Sequence, residues 1–99
     1  MIDLLGLTAE LCAVPSVSRE ETALADDVEA RLRATAGSLT IDRVGDNIVA
    51  RTMTGAARRV LLGGHLDTVP PNGNEVPRVD GDTLHGLGAA DMKGGLAVM

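Results

Sequence analysis

Two short stretches carry residue types that could do chemistry. The first is Gly63-Gly64-His65-Leu66-Asp67-Thr68-Val69-Pro70, and the second is Gly86-Leu87-Gly88-Ala89-Ala90-Asp91-Met92-Lys93-Gly94. On an extended segment residues i and i+2 point the same way. A His-x-Asp at a strand end can therefore offer one imidazole nitrogen to a metal while the carboxylate bonds the other, fixing the tautomer. Taken alone, His65-Leu66-Asp67 is better read as a satisfied core or loop histidine beside an aspartate that caps the turn at Thr68-Val69-Pro70.

Asp91 follows a glycine-rich turn that mimics a dinucleotide-binding loop, Gly86-x-Gly88-x-x-Asp91. The sixth position, however, is a carboxylate where such loops need a third glycine for close packing of helix on strand. A carboxylate there would repel a pyrophosphate. It suits capping of a helix N-terminus or a cation, with the glycines allowing close backbone approach. Gly94 and Gly95 imply that something packs tightly against the same helix start. As candidate metal ligands, His65 and Asp91 do not fill a zinc shell, because a catalytic zinc takes about three protein ligands plus water.

The pairing of Gly64-His65-Leu66-Asp67-Thr68-Val69-Pro70 with Gly88-Ala89-Ala90-Asp91-Met92-Lys93-Gly94 resembles the signature of the dinuclear-zinc deacylase and exopeptidase family. That family includes acetylornithine deacetylase, succinyl-diaminopimelate desuccinylase, aminoacylases and carboxypeptidase G. The Gly-Ala-Ala-Asp-Met-Lys wording and the Val-Pro-Pro continuation are most similar to its desuccinylase branch. The resemblance implies that His65 binds one metal, Asp91 bridges two, and Asp67 is the catalytic-site carboxylate that orients His65. It implies two divalent ions, zinc or cobalt in its place, and hydrolysis of a linear amide. The implied substrate is N-succinyl-LL-2,6-diaminopimelate of lysine biosynthesis, with N-acetylornithine or another N-acyl amino acid as the alternative. It also implies a cis Asp91-Met92 bond and a glutamate base downstream of Asp91. Leu87 departs from the arginine often found between the two glycines. His85 stands where an aromatic residue is common and reads as a packing residue.

The elements that must position these residues follow from periodicity. Leu4, Leu7, Leu11 and Val14 recur at helical spacing. Gly6 weakens the first turn, so this helix is expected to begin at Leu4 or only at Thr8, and Pro15 ends it. Ser18-Arg19-Glu20-Glu21 reads as a capping box opening a second helix to about Thr35. Its inner stripe is Leu24, Val28, Leu32 and Thr35, and Gly37 is a left-handed cap. Leu39–Val44 and Ile48–Thr52 read as a hairpin about Gly45-Asp46-Asn47. Val60–Gly64, apolar on both faces, reads as a central strand covered on both sides. Arg78–Leu84 reads as a tight hairpin turning on Asp80-Gly81, and Asp91 as the start of a final helix. The fold expected is α/β: helices on a mixed sheet, the N-terminal part of a zinc-exopeptidase-like catalytic domain spanning 1–99. The apolar ending Gly95–Met99 has no cap or polar exit. It reads as the interior of a longer chain whose inserted dimerisation domain, remaining ligands and base lie further on, which would leave this piece inactive alone.

Composition bounds the rest. The 99 residues lack Phe, Tyr and Trp, so the core must be thin. The net charge of -5 excludes the basic face that nucleic-acid binding needs. The single cysteine, Cys12, permits no internal disulfide and reads as a buried structural thiol in a reducing, cytoplasmic setting. No apolar run approaches the ~20 residues of a membrane span, and no secretory leader is evident. A small-molecule N-acyl amino acid is the expected partner, with a homodimer for the full-length protein. Two other classes stay open: a nucleotide-binding α/β module and a non-catalytic interaction domain.

Overall fold

The computed structural model describes residues 2–35 and 37–99. Helix α1 spans Leu4–Ala13. It begins at Leu4 because the Asp3 carboxylate caps it, accepting from the Gly6 N–H at 2.9 Å. Gly6 is what admits this cap, since a Cβ there would collide with the Asp3 side chain. Val14, extended ahead of Pro15, ends the helix. Its buried face is Thr8, Leu11 and Cys12, not the full expected stripe, and Leu4 is exposed. Thr8 is tolerated there because its hydroxyl bonds back to the Leu4 carbonyl at 2.7 Å.

Helix α2 spans Thr22–Ala34. The expected capping box does not form. Glu21 holds the N-cap position without a side-chain cap bond. Its carboxylate instead accepts from the Arg19 N–H at 2.6 Å, and Ser18 is committed elsewhere. Thr35, rather than Gly37, closes the other end, its hydroxyl bonding the Arg31 carbonyl at 2.8 Å. Of the expected stripe, Leu24 is fully buried, Val28 and Leu32 are half-buried, and Thr35 is exposed.

The first hairpin forms where expected, with Asn47 in the strand and not in the turn: β1 (Leu39–Val44) pairs antiparallel with β2 (Asn47–Thr52), Val44 facing Asn47. Leu39, Ile41 and Arg43 share the inner face of β1, which packs against α2. Arg43 ties the two together, reaching Asp26 at 3.0 Å and Glu29 at 2.8 Å. Solvent screens these pairs, so they fix geometry more than they add stability. The second hairpin joins β3 (Arg78–Asp80) to β4 (Thr83–His85), with Asp80 opposite Thr83. Its two-residue turn is Gly81-Asp82, one position later than expected, because Gly81 carries the left-handed φ of 64°.

Val60–Gly64 forms no strand. Val60 and Leu61 are 85% and 88% exposed. A strand covered on both faces needs hydrogen-bonding neighbours and flanking layers, and among the described residues each hairpin pairs only with itself. The architecture is mixed helix with small antiparallel sheets, α2 packing on the first hairpin, compatible with the expected N-terminal part of an α/β domain; among the described residues the strands form two separate hairpins and not one mixed sheet.

The last helix is α3, Gly94–Val98. It does not open at Asp91. Asp91 and Met92 have non-helical backbone angles inside a wide turn, Ala89–Lys93, closed by Lys93 N–H on the Gly88 carbonyl at 2.8 Å. The Asp91-Met92 bond is cis, as the resemblance implies. Among the described residues the buried apolar core is only Leu11, Cys12, Leu24 and Ala25. This thinness matches the lack of aromatics. Among the described residues no helix is long and apolar enough to cross a membrane.

Candidate metal centre

The two motifs interlock through their glycines. Met92 reaches over Gly64, where a Cβ would stand 2.8 Å from the Met92 methyl. The Met92 sulfur accepts from the His65 N–H at 3.3 Å. In return Thr68 reaches over Gly88, where a Cβ would stand 2.6 Å from the Thr68 methyl. Gly88 also needs its positive φ of 77°, which only glycine adopts without cost. The methyl faces Gly88, and the buried Thr68 hydroxyl has no hydrogen-bond partner among the described residues. Gly94 and Gly95 lie against the Ala89 carbonyl and Met92, so the tight packing expected at this helix start is present.

Lys93 anchors the second motif to α1. Its side chain is 2% exposed, and Nζ donates to the Val14 carbonyl at 2.9 Å, an acceptor that the end of a helix leaves free. Burial pushes the Lys93 pKa down, partly offset by nearby Cys12. The same burial pushes the Cys12 thiol up, so Cys12 is the inert structural thiol expected.

This framework brings His65 and Asp91 together from 26 residues apart, Nε2 to Oδ1 at 2.9 Å. Both are open to solvent on the same side, the side chains 46% and 84% exposed. On the other ring nitrogen, Nδ1 lies 3.0 Å from the Asp67 backbone carbonyl and 3.3 Å from Asp67 Oδ1. The imidazole is thus oriented by Asp67, by main chain as much as by carboxylate. The His65 pKa is raised, chiefly by the Asp91 hydrogen bond and also by the Asp67 carbonyl. Asp67 is held below the usual carboxylate value, chiefly by a hydrogen bond from Ser18.

That contact was not foreseen. Ser18 Oγ donates to Asp67 Oδ2 at 2.6 Å, while Ser16 Oγ donates to the Leu66 carbonyl at 2.7 Å. The main chains pair as a short parallel bridge, Ser18 N–H to Thr68 O at 3.0 Å and Thr68 N–H to Ser16 O at 2.9 Å. A Ser-x-Ser strip before a helix carries no signal for a partner 49 residues on.

The donor set fits a divalent cation in part. A neutral imidazole whose Nδ1 proton is held by Asp67 presents the Nε2 lone pair toward a carboxylate, the chemistry that zinc sites use. Among the described residues no three His, Cys, Asp or Glu side chains converge tightly enough to hold an ion alone. His85 is not drawn in. It is exposed at the end of β4, lining an open depression of about 520 Å³ with Leu5, Thr8 and Leu84, so it is not the packing residue expected.

Comparison with known proteins agrees with the motifs. Residues 61–99 match peptidase family M20/M25/M40. The chain is 54% identical over 102 residues to a protein of Mycobacterium tuberculosis (strain CDC 1551 / Oshkosh) provisionally named succinyl-diaminopimelate desuccinylase DapE, covering 99% of this chain and 29% of that one. It is 43% identical over 102 residues to the succinyl-diaminopimelate desuccinylase of Corynebacterium glutamicum, covering 98% and 28%. With that of Xanthomonas euvesicatoria pv. vesicatoria it shares 38% over 106 residues, covering 98% and 28%. The resemblance read from the two motifs is borne out. The chain spans less than a third of the length of these relatives.

Proposed function

We propose that this chain, whose residues 61–99 match peptidase family M20/M25/M40, is one wall of the active site of a two-metal amide hydrolase that releases succinate from N-succinyl-LL-2,6-diaminopimelate. The observation that carries this is the 2.9 Å approach of His65 Nε2 to Asp91 Oδ1. It occurs on an open edge, between the two motifs whose wording resembles the desuccinylase. The names of the relatives support the same substrate.

In this reading His65 and Asp91 are metal ligands and Asp67 keeps the proton on Nδ1, so that Nε2 faces the cation. When bound, a pair of divalent ions, zinc or cobalt, supplies the Lewis acidity that polarises an amide carbonyl and acidifies a water. Asp91, with 84% of its side chain exposed, has room to be shared by two ions. The remaining ligands and the general base are assigned to polypeptide beyond residues 1–99, as is a dimerisation domain that would make the complete enzyme a homodimer. A cytoplasmic setting goes with this role. The 99 residues form the N-terminal portion of the catalytic domain.

The test uses the complete polypeptide carrying this sequence. Zinc titration should show binding weakened by His65→Ala and by Asp91→Ala. Unchanged affinity in both variants would sink the metal assignment. Hydrolysis of N-succinyl-LL-2,6-diaminopimelate is then compared with that of N-acetylornithine, and a preference for the latter moves the substrate to the acetylornithine branch.

A further inference from the structure

We propose that Ser18 is a positioning residue of the metal centre, acting through Asp67 on His65. The inference rests on the metal assignment of His65 and Asp91 above.

Four side chains lie in line. Ser18 Oγ donates to Asp67 Oδ2 at 2.6 Å. The other carboxylate oxygen, Oδ1, faces His65 Nδ1 at 3.3 Å. The far ring nitrogen, Nε2, meets Asp91 at 2.9 Å. The serine hydroxyl has one proton and two acceptors in reach, Asp67 and the Thr68 carbonyl at 3.3 Å. The shorter, charge-assisted bond takes it. Ser18 is itself fixed from both sides. Its N–H is held by the Thr68 carbonyl, and Ser16, fully buried, ties the strip to Leu66. Arg19, with a left-handed φ of 77°, then swings the chain away toward α2, so the hydroxyl stays on the site while the helix departs.

The consequence is orientational. Asp67 is part-exposed, 42% of its side chain open, and without a tether its carboxylate can rotate to solvent or compete for the cation. Bonded to Ser18 through Oδ2, it presents Oδ1 to Nδ1. The proton stays on that nitrogen and the Nε2 lone pair stays available. Outer-shell partners of this kind typically matter by about 10- to 100-fold in metal affinity.

The experiment is zinc affinity by chelator competition in the complete polypeptide, for Ser18→Ala, Ser18→Thr, Asp67→Ala and the Ser18→Ala/Asp67→Ala double variant. Ser18→Ala should weaken zinc about tenfold or more, and Ser18→Thr, which keeps the hydroxyl, should restore most of it. The Ser18→Ala penalty should vanish in the Asp67→Ala background. An equal penalty in both backgrounds means that Ser18 only supports the fold, and overturns the proposal. So does an unchanged affinity in Ser18→Ala while His65→Ala abolishes binding. If His65→Ala also leaves zinc affinity unchanged, the metal assignment itself has failed. Should Ser18→Ala not fold, Ser18→Cys carries the same comparison.

Discussion

His65 Nε2 and Asp91 Oδ1 stand 2.9 Å apart, a hydrogen bond that requires a proton where a cation would sit. With the Asp67 carbonyl also 3.0 Å from Nδ1, the metal-free site favours the protonated ring, so the His65 pKa is raised, chiefly by the Asp91 hydrogen bond. Metal must displace that proton. Zinc affinity should therefore fall about tenfold per pH unit below the raised His65 pKa and level off above it. The metal-free fold has the opposite trend. The His65 contribution to its stability is present below the ordinary histidine pKa of about 6.5 and is lost as pH rises through the raised value. Chelator competition across pH checks the first, and urea unfolding of the metal-free protein the second. Affinity independent of pH would remove His65 from the ligand set.

The two glycine contacts differ in what can yield. At Gly88 an alanine meets the Thr68 methyl and must hold a φ of 77°, a backbone cost of ~1–2 kcal/mol before any clash. At Gly64 it meets the flexible tip of Met92. Gly88→Ala should destabilise by ~2–4 kcal/mol and Gly64→Ala by about half that. Denaturant midpoints decide the order, and a reversed order would mean that Met92 is the more rigid wedge.

Lys93→Met keeps the buried stem but leaves the Val14 carbonyl without the donor at 2.9 Å. A loss of ~1–3 kcal/mol is expected at neutral pH. The variant also isolates a pH effect. Burial lowers the Lys93 pKa, so charging it costs the folded state. As pH rises from that lowered value to the ordinary lysine pKa of about 10.4, wild type should gain stability relative to Lys93→Met. Parallel unfolding curves of the two proteins across alkaline pH, with a constant gap, would contradict this.

Among the described residues Arg19 is the non-glycine residue that turns left-handed, φ 77°. Arg19→Gly removes that strain but adds freedom to the unfolded chain. The balance should be a gain of up to ~1 kcal/mol, with zinc affinity unchanged because Ser18 keeps its own tethers. A drop in zinc affinity would show that the Arg19 side chain also guides the Ser18 strip.

What the sequence determined by itself is local or compositional. Helix spacing, proline stops, the Gly45 and Gly81 turns and the missing aromatics act within a few residues, so both long helices, both hairpins and the thin core were legible. The two motifs, through their wording, also paired His65 with Asp91. Tertiary structure decided the rest. Ser18-Arg19-Glu20-Glu21 spells a capping box, yet the Ser18 hydroxyl goes to Asp67, because a charged acceptor brought alongside by the Thr68 bridge outcompetes a backbone amide. Val60–Gly64 spells a buried strand, but a strand exists only through its neighbours, and no strand among the described residues lies beside it. The start of α3 moved from Asp91 to Gly94 for a similar reason. Asp91 and Met92 are bent out of the helix, where Asp91 faces His65 and Met92 caps Gly64. These are contacts between segments far apart in sequence, and no propensity within either segment encodes them.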